Sequence, residues 1–176
     1  MTSKSTQSAL PPTFLHNVDP GHSKPILEHV YTGRPPSAAA VLPLYLAHAT
    51  PRPSLMYLAM TTPPVVLFSI VQDRILFLSP SSTEIEPLLV IEFLQRVADA
   101  LEDFLGAPLL PSKIDASFDI VAQIVGEMCD AGVVCNTEPD ALREVIEAPT
   151  WVGSLLGGFG LPSYVVAQPL PICPRH

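Results

Sequence analysis

The hydrophobic pattern is most regular at residues 64–106, where two short apolar runs precede a long amphipathic helix. The runs 65–71 and 74–78 are rich in β-branched and aromatic residues, and Gln72 and Asp73 between them suit a tight hairpin. Apolar residues then recur every three or four positions, which predicts a helix with one wide stripe that covers a sheet or another helix. The stripe consists of Leu88, Ile91, Leu94, Val97, Ala98, Leu101, Phe104 and Leu105.

Both ends of this helix carry start and stop signals. The hydroxyls of residues 81–83 can cap the first turn, Pro87 suits the first helical position, and Gly106 ends the element. Glu92 and Arg96 stand four apart in the favourable order. The polar side is acidic, which we interpret as a solvated face, with docking onto a basic partner as the alternative; it carries Asp99, Glu102 and Asp103.

Shorter patterns predict three strands and a helix before this hairpin. The strands are expected at 14–18, 25–31 and 55–60. A turn signal at 19–21 joins the first two strands into a hairpin. The alanine-rich run 38–46 predicts a helix that Ser37 can cap and that Pro43 is expected to kink.

Two more helices are predicted after the long one. Apolar residues repeat at helical spacing over 118–128, and Gly132 suits a left-handed C-cap. Residues 137–140 are typical of a helix start, with Pro149 as the stop. Three residues of that last helix are expected to face inward: Leu142, Val145 and Ile146. The order predicts an α+β fold, a small antiparallel sheet with helices on its faces.

Composition sets the domain organisation and excludes one class of partner. The 176 residues suit one domain, of which 48% are hydrophobic and 15% charged. We expect a disordered lead at 1–12, a folded domain at 13–148 and a glycine- and proline-rich linker or tail at 149–176. A net charge of -8, with no basic cluster, argues against nucleic-acid binding.

Targeting signals and membrane segments are weak. The N-terminus lacks the apolar core of a signal peptide, so secretion is not expected. No charged residue lies between Glu147 and Arg175, but glycines and prolines interrupt this run. We interpret it as a linker or tail, with a tail anchor or an amphipathic membrane contact as alternatives.

No residue constellation points to catalysis, a cofactor or a metal, so we expect a protein that is not an enzyme. The usual nucleophile, phosphate-binding and zinc-protease motifs are missing, and the glycines of 156–160 are interpreted as linker. Glu84 and Glu86 are explained by the positive N-terminus of the long helix. The segment 57–60 matches a tyrosine-based sorting pattern, but we expect it in the core of a strand.

The histidines and cysteines are also not expected to bind a metal. Three histidines in the N-terminal hairpin region lack the spacing of a metal site, so we expect them at the surface; they are His16, His22 and His29. Three cysteines match no zinc signature, so we expect buried or incidental thiols in a reducing cytosol; they are Cys129, Cys135 and Cys173.

Three longer segments carry a family resemblance. Residues 27–48, 74–110 and 128–151 resemble the N-terminal longin-type domain of the medium (mu) subunits of adaptor protein complex 3, in a form like that of filamentous fungi. The resemblance covers roughly residues 25 to 160. Its most specific parts are 86–99 (EPLLVIEFLQRVAD) and 127–139 (EMCDAGVVCNTEP).

The resemblance implies a fold and a function. The longin or SNARE-like fold has a five-stranded antiparallel sheet, with one helix on one face and two or more on the other. A medium chain is part of a heterotetramer with large beta-type and delta-type adaptin subunits and a small sigma subunit. Such a complex is cytoplasmic, peripheral on Golgi and endosomal membranes and vesicles, and carries proteins to the vacuole or lysosome. The beta-type subunit is the expected main contact of this domain.

Several alternatives stay open at this point. A full medium subunit continues into a β-rich domain that reads tyrosine-based signals, so cargo recognition is not expected of these residues. A fragment, a truncated gene model and a natural short form are all compatible with this. Other function classes are a stand-alone longin-type trafficking regulator that binds a small GTPase or a SNARE, an enzyme with an unfamiliar site, and a tail-anchored protein. The sequence leaves the partner interface unknown.

Overall fold

A computed structural model describes residues 9–18 and 25–146. Its main sheet has five strands in the order β2-β1-β5-β4-β3, and all neighbours are antiparallel. The strands are β1 (Thr13–Asn17), β2 (Pro25–His29), β3 (Leu55–Leu58), β4 (Val65–Gln72) and β5 (Ile75–Ser81). The five predicted strands are confirmed. The two-residue turn between β4 and β5 is Asp73-Arg74, one position later than predicted.

Helices lie on both faces of this sheet. Helix α1 connects β2 and β3, and four helices follow β5: α1 (Ala38–Leu46), α2 (Pro87–Leu105), α3 (Pro111–Ala116), α4 (Phe118–Met128) and α5 (Pro139–Val145). A small hairpin of β6 (Cys129–Asp130) and β7 (Val133–Val134) separates α4 from α5. The predicted helices are confirmed, whereas α3 and the β6–β7 hairpin were not predicted, because elements this short show no clear period.

The alternation of side chains along the strands divides the core in two. Phe14, Leu76 and Leu78 face α1, whereas Leu15 and Phe77 face α2 and α4. Every residue of β5 is buried, so this central strand packs on both faces. Each fully buried large side chain contributes about 1.5–3 kcal/mol to folding.

Helix α2 buries a different arc from the predicted stripe. Leu88 is 69% exposed, and Ile91 and Phe104 are only partly buried. Three residues outside the predicted stripe are buried instead: Val90, Phe93 and Ala100. The arc is shifted because α2 packs on the sheet and also beside α4, so the flank toward α4 is covered and the opposite flank is open.

The predicted side-chain caps are wrong. Ser37 is the N-cap residue of α1 but its hydroxyl makes no capping hydrogen bond. Instead, the backbone N–H of Ala38 donates to Oε1 of Glu28 on β2 at 3.0 Å. Ser81 donates its hydroxyl to the carbonyl of Thr83 at 2.8 Å, and the N-cap position of α2 falls on Glu86. A tertiary contact therefore replaces the predicted cap of α1, whereas the Ser81 hydroxyl bonds within its loop and does not cap α2.

Gly132 has a left-handed backbone but does not cap a helix. It has φ +86° and lies in the turn between β6 and β7, after Ala131 with φ +48°. Two successive residues with positive φ are typical of a two-residue hairpin turn. The carbonyl of Gly132 accepts a hydrogen bond from the N–H of Leu10 at 2.7 Å. The turn therefore holds the segment that leads into β1.

Residues 9–12 are packed, although they were predicted to be disordered. Leu10 is 3% exposed and belongs to the core beneath α2 and α4, and Pro11 and Pro12 are buried. One apolar residue was enough to anchor this segment, because the β6–β7 turn offers it a backbone partner. Residues 1–8, the turn signal at 19–21 and the predicted tail lie outside the described residues.

We predict that Gly132→Ala lowers the free energy of unfolding by about 2–3 kcal/mol. An added Cβ would lie 2.4 Å from Cβ of Ala9 and 3.1 Å from two backbone atoms. Gly33→Ala is the matched control, because Gly33 has φ +72° with nothing within 4 Å, and should lose only about 1 kcal/mol. Urea unfolding measures both values. Equal losses in the two variants would contradict the close packing of the lead against the turn.

Candidate partner interface

Strand β3 forms one edge of the described sheet and pairs with β4 alone. Its side chains alternate between the two faces, as in any strand. Met56 and Leu58 are buried in the core beneath α1, whereas Leu55 and Tyr57 are exposed, Tyr57 by 62%. The edge therefore presents apolar side chains to solvent beside a row of backbone groups that no described strand pairs with.

Leu55 and Tyr57 lie on the face of the sheet that carries α2. They pair across the ladder with Phe68 and Val66 of β4. Both of these β4 residues pack into the core beneath α2. The outer strand thus continues the surface on which α2 rests, but no described helix extends over it.

The two flanks of α2 are distinguished by their contacts. On one flank, the ring of Phe104 lies 5.7 Å from the guanidinium carbon of Arg143 in α5. On the other flank, Glu102 accepts a hydrogen bond from Nε2 of Gln72 at the end of β4. Ile91 and Leu88 precede Glu102 by about three and four helical turns, so they lie on the same flank of α2. This flank is the one on the side of the uncovered strand.

Four apolar residues on this side of the fold are taken together as the β3 strip, which we define as Leu55, Tyr57, Leu88 and Ile91. Leu88 is the most exposed of the four and stands in the first turn of α2, whereas Ile91 is half-buried. Exposed apolar side chains that lie close together are typical of protein interaction sites.

The apolar surface continues around the sheet edge toward α1. A cleft of about 450 Å³ lies between the end of α1 and the end of β3, and Tyr57 borders it. Met60 on the rim is 86% exposed. The lining residues are Leu44, Ala47, His48, Ala49, Tyr57, Leu58, Ala59 and Met60. The prediction that residues 57–60 lie in the core is therefore wrong except at Leu58, because an edge strand buries only one of its faces.

Three titratable side chains lie near the ends of β2 and α4, where Cys129 is buried and His29 and Tyr31 are partly buried. The Tyr31 hydroxyl donates to Oγ1 of Thr13 at 3.2 Å, and its ring lies 4.9 Å from that of His29. Burial raises the pKa of Tyr31, lowers the pKa of His29 and raises the pKa of the Cys129 thiol to about 11. Every shift favours the neutral form and has burial as its largest cause. The arrangement suits packing.

The predicted surface histidines have mixed outcomes. His16 is buried in β1, which contradicts its expected surface position. Every residue of β1 is buried, so this strand leaves no side chain at the surface. His29 is partly buried in β2, and His22 lies outside the described residues. Within 9–18 and 25–146, no group of three or more His, Cys, Asp or Glu side chains is placed to hold a metal ion.

The remaining candidates are dispersed. Glu84 and Glu86 are exposed just before α2. Cys129 is buried, Cys135 is exposed, and Cys173 lies outside the described residues. Val145 is exposed rather than inward-facing, whereas Leu142 and Ile146 are buried as predicted. No helix of the described part of the chain combines the length and apolarity needed to cross a membrane.

Comparison with curated proteins gives a consistent set of relatives. The chain is 44% identical to AP-3 complex subunit mu of Arabidopsis thaliana over 95 residues, or 54% of this chain. It is 41% and 40% identical to AP-3 complex subunit mu-1 of Gallus gallus and Homo sapiens over 96 residues. Over these residues the chain is similar to the AP-3 mu subunits. It covers about a quarter of the length of these relatives, 23% in each case. No protein-family model matches the chain.

A structural comparison supports the fold independently. A chain in a homology model of the full-length AP-3 complex in a stretched open conformation aligns with a TM-score of 0.57. The alignment covers 85% of this chain and 96% of that chain, at 10% sequence identity. At this identity the likeness concerns the fold alone. Together with the observed topology, it confirms the expected longin-like α+β architecture.

The β3 strip could not be found from sequence. Leu88 matched the helical period and was assigned to the inward stripe, and Tyr57 was assigned to the core. The strand order supplies the missing information, because it shows that β3 is an edge and that α2 and α4 lie over the other strands.

We predict that His29 makes the fold less stable in mild acid. Because its pKa is lowered by burial, the unfolded chain takes up the proton first, and stability falls as pH drops below about 6.5. The midpoint of urea unfolding should therefore fall more in the native chain than in His29→Gln between about pH 7.5 and 5.5. An identical fall in both chains would exclude this role of His29.

Proposed function

We propose that this chain is a noncatalytic subunit domain of a heterotetrameric vesicle-coat adaptor of the AP-3 type. The observation that carries the proposal is its similarity to the AP-3 mu subunits. The longin-like architecture is consistent with it, although a fold alone does not define a function. In this role the chain acts in protein transport from Golgi or endosomes to the vacuole or lysosome.

The proposed mechanism is assembly through burial of apolar surface. The β3 strip and the adjoining cleft would form the centre of an interface with a beta-type large adaptin, with the delta-type large and small sigma subunits completing the complex. Stable interfaces bury about 1,600 Å² in total and concentrate their energy in a few aromatic and aliphatic anchors. Tyr57 and Leu88 are the candidate anchors, because they are the most exposed members of the strip.

Two further features support a role without catalysis and with peripheral attachment. The pKa shifts of His29, Tyr31 and Cys129 arise mainly from burial, and no oppositely charged group is among their causes. Membrane association would come through the assembled complex at Golgi and endosomal membranes on the cytoplasmic side. We propose that the folded domain extends the predicted range 13–148 back to the packed residues 9–12 and is followed by a linker or tail at 149–176.

We predict that the double variant Tyr57→Asp, Leu88→Asp loses binding to a beta-type adaptin. Two buried, unpaired carboxylates at the centre of the interface should reduce retention on the tagged large subunit at least about tenfold. Co-expression of the full chain with beta-type, delta-type and sigma subunits, followed by pull-down and sedimentation, measures this. Val145→Asp is the matched control, because Val145 is 58% exposed on α5, beside the covered flank of α2.

The outcomes separate the possibilities. Loss with the double variant and retention with Val145→Asp would support the β3 strip as the interface. Equal retention of all chains would place the interface elsewhere. Failure of the native chain to bind any adaptor subunit would contradict the proposed adaptor function. Binding of a small GTPase or a SNARE instead would favour the stand-alone trafficking regulator.

A further inference from the structure

The loop between β5 and α2 presents a threonine in an acidic setting. Residues 83–86 read Thr-Glu-Ile-Glu, so Thr83 is followed by carboxylates at the first and third positions. We propose that Thr83 is a phosphorylation site for an acid-directed protein kinase and that Arg34 binds the resulting phosphate across a cleft. This inference does not depend on the proposed adaptor function.

Accessibility distinguishes Thr83 from similar positions. Residues 82–86 form neither helix nor strand, and Thr83 is exposed. Kinases select substrates by the charge pattern around an extended, accessible hydroxyl. Thr137 has the same carboxylate spacing, with Glu138 and Asp140, but it is half-buried in a groove beside α2. The structure therefore favours Thr83 over Thr137.

The neighbouring hydroxyls fit the pattern less well. Ser81 has Glu84 at the third position but is buried, and its Oγ donates to the carbonyl of Thr83 at 2.8 Å. Ser82 is exposed but has carboxylates only at the second and fourth positions. The Thr83 hydroxyl makes one long contact, 3.4 Å to Oγ of Ser81, so little is lost when it is modified.

A cleft beside Thr83 supplies a cation. It encloses about 380 Å³ and is bordered by 9–12, 32–35 and 80–83. Arg34 lines it and is exposed, and no described carboxylate forms an ion pair with it. A guanidinium binds two phosphate oxygens in a fork geometry, which makes arginine a common partner of phosphorylated residues.

The reaction is an ordinary phosphoryl transfer from ATP. The Oγ1 of Thr83 forms a bond to the γ-phosphorus while the bond from that phosphorus to the β–γ bridging oxygen breaks. The hydroxyl proton passes to the carboxylate base of the kinase, and ADP leaves. The product carries a charge of about -1.5 to -2 at neutral pH.

This charge would stand at the border of the β3 strip. Thr83 precedes Leu88, in the first turn of α2, by five residues. Pairing with Arg34 would join the β5–α2 loop to the β2–α1 loop, two segments that border the same cleft. The modification would thus fix the entry to α2 and add negative charge beside exposed apolar side chains.

The first test is phosphorylation of the folded full chain. We expect a recombinant kinase of the casein kinase 2 type, with Mg²⁺ and ATP, to modify Thr83, as mapped by mass spectrometry. Thr83→Val should abolish the modification at this position, and Glu86→Gln should slow it about tenfold. Ser82→Ala and Thr137→Val are matched controls that should leave it unchanged. Modification elsewhere only, or of a free 78–90 peptide but not of the folded chain, would overturn the proposal.

The second test addresses Arg34. Phosphorus NMR of the modified chain should give a second phosphate pKa about 0.5 unit below that of the phosphorylated 78–90 peptide, because a nearby cation stabilises the dianion. Arg34→Gln should remove this difference, whereas Arg52→Gln should not, because Arg52 bonds to carbonyls at the end of α1. Equal pKa values in the native and Arg34→Gln chains would exclude the phosphate–Arg34 contact.

Discussion

The burial of strand β5 on both faces is the constraint on which the rest of the fold depends. Its seven residues are all buried, with Phe77 and Ile75 on one side and Leu76 and Leu78 on the other. A strand that is apolar on both faces needs a layer of helices above and below the sheet. Helix α1 provides one layer, and α2 with α4 provides the other, so the layered architecture follows from the central strand.

The size of these layers explains where apolar surface is left open. A helix is about 10 Å wide, and neighbouring strands are about 4.8 Å apart, so two helices cover about four strands. Helix α2 lies over β4 and α4 over β2, which leaves the outer face of β3 beyond their reach. Leu55 and Tyr57 are exposed for this geometric reason. Leu88 and Ile91 are the apolar α2 residues on the side of this uncovered strand.

Elements with a repeating residue pattern could be predicted from the sequence. Features that a tertiary contact determines could not. The five strands and the long helix have clear periods, so their positions and the α+β class could be predicted. The cap of α1 could not, because its acceptor is Glu28 on β2, ten residues away. The turn at Gly132 and the anchoring of Leu10 depend on each other across the fold. The β3 strip required the strand order, which no local period encodes.

Relationship and geometry contribute different parts of the functional argument. A fold likeness at 10% identity identifies an architecture that serves many functions, whereas identity above 40% to mu subunits over half the chain narrows the relationship. Neither says which surface is used. The described edge strand is the surface that we propose, because an exposed aromatic and two leucines at a sheet edge are costly in solvent and would be stabilised by a partner that covers them. The loop with Thr83 leads into Leu88 in the first turn of α2, so a charge placed on that loop would stand five residues from one of the two proposed anchors of the partner interface.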